Sequence, residues 1–266
     1  MTPPDASPSV SPPPALPGIH FKAPLTPARL VRRYKRFLAD VELADGSIVT
    51  AHCANSDAML GVDTPGFPVW LSRSDNPTRK LAWSLELVEA DGTLVGVHTG
   101  HPNAIGAAAI AAGRITELTG YDTIRREVKY GRNSRIDLLL EAEGHPPAYV
   151  EIKNVHLRRP GRQDGHAAEF PDCPTARGAK HLLELADMVA AGCRAVMLYL
   201  VQRNDCTHFR VAEDIDPAYA AGLARAQAAG VEAICYACDV TTQTIALDRP
   251  LPVHMPILGA VRIREA

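Results

Sequence analysis

The stretch Arg135-Ile136-Asp137-Leu138-Leu139-Leu140, followed by Tyr149-Val150-Glu151-Ile152-Lys153, decides how the rest of the chain is read. Both runs read as strands, with Gly144-His145-Pro146-Pro147 as the turn between them. Antiparallel pairing centred on residue 144 or 145 sets Asp137 beside Glu151 and Lys153. Glu151 and Lys153 are two apart and share one strand face, while Val150 and Ile152 point into a core on the other. Two carboxylates and an ammonium thus meet on one sheet face. Close carboxylates repel, and one pKa rises unless a cation intervenes. Mg2+ (or Mn2+) removes the conflict, because it favours carboxylate, water and phosphate oxygens. Such an ion polarises a phosphoryl oxygen and lowers the pKa of bound water. Lys153 would orient that water or stabilise charge in the transition state. The expectation is a phosphodiester hydrolysis site, with Asp137, Glu151 and Lys153 catalytic and Asp137 and Glu151 as metal ligands. The plain alternative is a surface salt bridge worth about 0–1 kcal/mol.

Outward from this hairpin, Asn103 reads as the cap of a helix from Ala104 to Thr119, stopped by Gly120. Ile124 to Tyr130 is a strand. Thr175 caps a helix to about Ala191, and Ala195 to Gln202 is a buried strand. Asp216-Pro217 opens another helix that Gly230 ends. Val231 to Asp239 and Thr244 to Leu247 close the series as strands. Strands bracketed by helices signal a layered α/β domain. Helix, strand, Asp strand, Glu-x-Lys strand, helix, strand is also the core order of the PD-(D/E)xK nuclease fold.

The front half reads as five short strands: Tyr34 to Leu43, Ser47 to Ala54, Phe67 to Ser72, Leu81 to Glu89 and Thr93 to Thr99. Asp45-Gly46 and Asp91-Gly92 mark hairpin turns. That count fits a five-stranded oligonucleotide-binding (OB) barrel, although SH3-like barrels and partial sandwiches leave the same trace. The expected division is a Pro-rich disordered tail over 1–20, an OB-like DNA-binding domain over 21–101, a nuclease-like domain over 102–255 and a C-terminal tail over 256–266. The fold class is thus α/β (α+β), a small β-barrel followed by a PD-(D/E)xK nuclease-like domain.

Composition sets the bounds. The chain has 266 residues, 46% of them hydrophobic and 22% charged, ordinary for a globular protein and too apolar for a disordered one. A net charge of −2 excludes binding nucleic acid by bulk charge. The longest apolar run, Ala195 to Val201, is far short of the roughly 20 residues of a membrane helix. No secretory leader is visible, so the six cysteines read as reduced thiols in a cytoplasm. Cys235-Tyr-Ala-Cys238 has the gap of a metal or redox pair, but no second pair accompanies it; two thiols packed in a buried strand are expected.

The motifs Arg126-Glu-Val-Lys-Tyr-Gly131, Ser134-Arg-Ile-Asp137, Val150-Glu-Ile-Lys153, Phe170-Pro-Asp172 and Thr175-Ala-Arg-Gly-Ala-Lys-His-Leu182 closely resemble the sugar fermentation stimulation protein A family. Tyr34-Lys-Arg-Phe37, Ala51-His-Cys-Ala-Asn-Ser56, Gly192-Cys-Arg-Ala-Val196, Val201-Gln-Arg-Asn-Asp205 and Ile215-Asp-Pro217 extend the resemblance over about residues 32–253. The resemblance implies an N-terminal OB-like domain, a PD-(D/E)xK-type domain, DNA binding with little sequence preference and a link to maltose metabolism genes. Asp57 stands where the family is expected to carry Gly, and an acid there would weaken phosphate contact.

Local basic runs offer places for DNA, double- or single-stranded. Residues 21–36 include Arg32, Arg33, Lys35 and Arg36 with no acid; residues 153–162 and 125–135, the latter with Arg135, are also basic. Arg177 and Lys180 share the start of a helix, where phosphate is favoured. Tyr34, Phe37, Phe67 and Trp70 would either stack on bases or fill the barrel. Glu117 and Glu127 are either further carboxylates of the site or exposed acids, and Gln202 to Asp205 either contact DNA or form a plain turn. Two function classes follow: a metal-dependent DNA nuclease, or a non-catalytic DNA-binding regulator of sugar genes. The residues carry no selector of DNA over RNA and leave the oligomeric state open.

Overall fold

A computed structural model describes residues 16–131, 133–162 and 164–255. The expected tails over 1–15 and 256–266 lie outside the described residues. Residues 18–20, assigned to the N-terminal tail, are instead ordered. They form β1 (Gly18–His20), antiparallel to β15 (Thr244–Pro250). Backbones approach so closely there that a Cβ on Gly18 would stand 2.2 Å from the Ile245 carbonyl oxygen.

The chain then builds the barrel from β2 (Thr26–Tyr34), β3 (Leu38–Leu43), β4 (Ile48–Cys53), β5 (Pro68–Arg73) and β6 (Trp83–Ala90). The sheet order is β4-β3-β2-β5-β6, and a parallel β4–β6 pairing closes it. Closure removes the edges that would otherwise pair with other chains. β7 (Thr93–Gly96) hangs on β6 outside the closed ring. The count of five holds, but its membership differs. The expected strand over 34–43 is split by a turn in which Lys35 and Arg36 hold φ of 49° and 63°. Long side chains rarely take that conformation, so the residues gave no turn signal. Leu30, Val41, Val69, Leu71, Leu85 and Val95 fill the interior.

The second sheet runs β1-β15-β14-β12-β10-β9-β8. Its further members are β8 (Thr123–Tyr130), β9 (Ser134–Glu141), β10 (Ala148–Val155), β12 (Arg194–Val201) and β14 (Glu232–Val240). β10, β12 and β14 are parallel neighbours. β12 is covered on both faces, which is why it reads as an unbroken apolar run. α1 (Pro102–Ala111) lies on one face, over Ile152, Leu198 and Leu200. α2 (Ala176–Ala190) and α3 (Pro217–Ala228) cover the other, packing Leu182, Leu185 and Leu223 on Met197 and Tyr199. Their caps are as expected: Thr175 accepts the Gly178 N–H, and Asp216 accepts that of Tyr219. A small third sheet, β11 (Ala167–Phe170), β13 (His208–Val211) and β16 (Val253–His254), is too short to have been read from the sequence. Cys235 and Cys238 are buried free thiols in opposite cores and do not form a chelating pair.

The first helix departs from expectation. It ends at Ala111, because Gly113 turns the chain at φ 64° and the Arg114 N–H closes onto the Ala109 carbonyl. Thr116–Leu118 is a separate 3-10 turn. Its start is also shifted: Pro102 takes the first helical position, His101 becomes the cap, and Asn103 is freed from capping.

The two domains are fastened by Arg203, at the end of β12. Its side chain is 1% exposed. It donates to both Asp205 oxygens, to the His156 carbonyl and, at 2.9 Å, to Asp91 in the β6–β7 turn. Next to it, the Gly96 N–H donates to the Gln202 carbonyl, so β7 is stitched to the end of β12. Residues 202–205, read from the sequence as either a DNA contact or a plain turn, serve here as a structural clamp. Arg203→Met should lower stability by about 1–3 kcal/mol, because it takes the donor from the buried His156 carbonyl and leaves Asp91 and Asp205 to Arg158 alone. The urea midpoint at constant slope measures this, and an unchanged midpoint would refute the clamp.

Candidate functional site

Asp137 lies mid-strand in β9, at a gap in both ladders. Pairing with β10 ends at Leu138–Val150, and pairing with β8 skips from Arg126–Leu138 to Val128–Ile136. The residue left facing it on β8, Glu127, has φ 52°. The Asp137 side chain fills the gap. Its Oδ2 accepts the Ile152 N–H at 2.7 Å, and its Oδ1 accepts from Asn103 Nδ2 at 2.8 Å. The same Asn103 amide reaches Glu127 Oε1 at 3.3 Å. Burial, then the charge of Glu151, pushes the Asp137 pKa up to about 6, against the opposing pull of these donors and Lys153.

Glu151 is 2% exposed. Its Oε1 accepts from Lys153 Nζ at 2.6 Å and from His181 Nδ1. Burial alone would raise its pKa, but the Lys153 charge and His181 outweigh it and hold the carboxyl below its ordinary value. Its Oε2 is buried without a hydrogen-bond partner. A buried carboxylate oxygen left unpaired is costly. A hard divalent cation is the species that would satisfy it, since Asp137 supplies further oxygen donors beside it. The residues present therefore fit Mg2+ or Mn2+.

The three expected residues meet at the C-terminal end of β10, in an open cleft of about 270 Å³. Asn103 and Pro102 of α1 line it, with Thr175, Arg177 and Gly178 of α2. The facing wall comes from the barrel loop after β4, with Ser56 and Asp57, and from Thr99 in the linker after β7. Asp57, the departure noted in the sequence, thus lines the same cleft as the two carboxylates. Burial, then the charge of Asp172, raises its pKa.

The expected basic residues divide into two groups. Arg33 is turned onto its own chain, donating to the carbonyls of Ala58, Arg36, Asn55 and Asp57, and Arg36 donates to that of Ser56. Together they hold the loop that forms the barrel wall. Arg32 pairs with Asp40 at 2.9 Å and lies over the Tyr34 ring. Lys35 is exposed at the tip of the turn. On the other wall Arg177 is exposed beside the cleft, with Nε 3.4 Å from His181 Nε2. Lys180 donates to Ser134 and pairs with Glu184, and Arg135 donates to the Glu127 carbonyl. The run over 153–162 is largely neutralised, because Arg158 pairs with Asp205, Arg159 with Glu169 and Asp214, and Arg162 with Asp214. Glu117 is remote, bonded to Tyr236 at the opposite end of the sheet.

Two site residues escaped the sequence reading. Asn103 reads as a cap in the sequence, although Pro102 beside it, a residue suited to the first helical position, puts the cap two residues earlier at His101. His181 sits among Gly178, Leu182 and Leu185 on the buried stripe of α2. A histidine on an apolar stripe, next to a Glu-x-Lys strand, was the available clue.

The comparisons with known proteins cover both halves. The model described as the SfsA N-terminal OB domain matches residues 31–97, and that of the sugar fermentation stimulation protein RE domain matches residues 100–244. The sugar fermentation stimulation protein homolog of Rhodospirillum centenum is 67% identical over 88% of this chain and 98% of its own length. That of Paramagnetospirillum magneticum is 61% identical over 89% and 98%. The solved structure of Pyrococcus furiosus SfsA in complex with Ca2+ is 27% identical, with a TM-score of 0.79, over 91% of this chain and all of that one. The chain belongs to the sugar fermentation stimulation protein family.

Proposed function

We propose that the protein is a divalent-metal-dependent nuclease that hydrolyses phosphodiester bonds of DNA lying between the barrel and the sheet. The observation that carries this reading is the buried, unpartnered Glu151 Oε2 beside Asp137 and Lys153. The Ca2+ complex of the Pyrococcus furiosus relative supports a site for a divalent cation.

Asp137 and Glu151 would hold Mg2+ or Mn2+, which polarises a phosphoryl oxygen and lowers the pKa of bound water. Asn103 and the Ile152 N–H fix the Asp137 carboxylate, and His181 fixes Glu151, so neither ligand has to reorganise. The Lys153 ammonium, on Glu151 Oε1 and at the cleft, orients the attacking water and stabilises charge that builds on the phosphoryl oxygens. Arg177 and the first turn of α2 face the same cleft and suit a phosphate. Lys35, exposed in the turn before β3, would take a more distant phosphate. The free thiols suit a reducing compartment, the cytoplasm; among the described residues no helix is long and apolar enough to cross a membrane.

Purified protein should nick supercoiled plasmid with Mg2+ or Mn2+ and not with EDTA, and Asp137→Ala should abolish nicking. Lys153→Ala should lose cleavage while retaining a gel shift; unaltered cleavage would remove Lys153 from the chemistry. A salt-sensitive shift that survives EDTA, with no cleavage under any metal, would replace the nuclease by a DNA-binding regulator. In DNA titrations, Lys35→Glu and Arg177→Glu should each reduce the salt slope by about 1. Arg33→Ala should act instead through stability, lowering the melting temperature by loosening residues 55–58.

A further inference from the structure

Behind the cleft, where the barrel hands the chain to α1, lies a second cluster that the proposed reaction does not use. Glu86, on β6, is a buried carboxylate. His98 and His101 belong to the linker that follows β7. One ligand atom from each of the three lies within 4.8 Å of the others. Glu86 Oε2 is 2.8 Å from His101 Nε2, and the two imidazoles stack with centroids 4.3 Å apart. A third imidazole, His52 on β4, is near enough to contribute, after burial and His101, to the depressed pKa of His98.

We propose that Glu86, His98 and His101 form a transition-metal site, of the chemistry that suits Zn2+, which pins the interdomain linker to the barrel. Two imidazoles and a carboxylate match the donor preferences of Zn2+ and not those of Mg2+, which takes oxygen ligands almost alone. The ligand from the barrel is already oriented. Ser72 Oγ donates to Glu86 Oε1 at 2.6 Å, which turns Oε2 to the histidines, the kind of outer contact that fixes a ligating carboxylate. On loading, the ion takes the place of the proton between His101 Nε2 and Glu86 Oε2, and that proton moves to His101 Nδ1 so that the imidazole stays neutral.

The location gives the site a structural role. Thr99, Pro102 and Asn103 all line the cleft, and each is within two residues of a proposed ligand. An ion bonded to residues 98 and 101 and to β6 would fix the segment from which Asn103 reaches Asp137. This inference does not depend on whether the cleft cleaves DNA.

The test uses the full-length chain, stripped with chelator and equilibrated with Zn2+ in the presence of excess Mg2+. Metal content is read by mass spectrometry and site chemistry by the visible spectrum of the Co2+-substituted protein. The expected result is about one Zn2+ per chain. It should persist in Asp137→Asn, which disables the cleft, and in His254→Ala, which disables a separate grouping of Asp164, His208 and His254. It should be lost in His98→Gln and in Glu86→Gln, and Ser72→Ala should weaken binding about 10–100-fold. Circular dichroism confirms that each variant is folded, and the Co2+ spectrum should show nitrogen and oxygen ligation with no thiolate band. Substoichiometric Zn2+ in the wild type, full retention in His98→Gln, a thiolate band, or loss in His254→Ala instead would each overturn the assignment.

Discussion

A guanidinium with no access to water has to find carboxylates, and Arg203 finds one in each domain. Asp205 follows it in the bend after β12, and Asp91 comes from the barrel turn. Without that pairing the charge would cost several kcal/mol to bury. The requirement sets the distance and angle at which the barrel meets the sheet. The cleft depends on it, because one wall is barrel loop and the other is sheet and helix. The loop is held in turn by Arg33 and Arg36, so cations set both the placement and the shape of the barrel wall.

The opposite wall obeys a different rule. Asp137 and Glu151 are brought together by hairpin symmetry, and the ladder opens at that point so that a side chain takes the Ile152 N–H that a strand would otherwise use. This part was legible in the sequence, because a two-residue period and a turn at Gly144 fix which side chains face one another. The caps of α2 and α3 and the buried character of β12 were legible for the same reason. Each is set by residues within a few positions of one another.

What the sequence hid were relations between distant segments. The basic run over 153–162 looks free for nucleic acid until Asp205, Glu169 and Asp214 arrive from elsewhere in the chain. Arg33 looks like a phosphate contact until the loop over 55–58 folds beneath it. The turn at Lys35 and Arg36 is written in residues that seldom turn, so a strand was read through it. His181 was hidden by its own burial, since a histidine inside an apolar stripe has the pattern of a packing residue. Charge runs in a sequence report potential contacts, and only the tertiary structure says which have already been used.

The pairing of β1 with β15 has a consequence for the integrity of the nuclease-like half. That half begins before the barrel and resumes after it, so the barrel is an inserted excursion whose two ends leave from one sheet. A cut at the family boundary near residue 100 would free β1 and uncover the edge of β15, a row of unpaired backbone groups open to other chains. A single cleavage there does not release an intact nuclease-like half, and a gene fragment that encodes only the residues after the boundary would inherit an unfinished sheet.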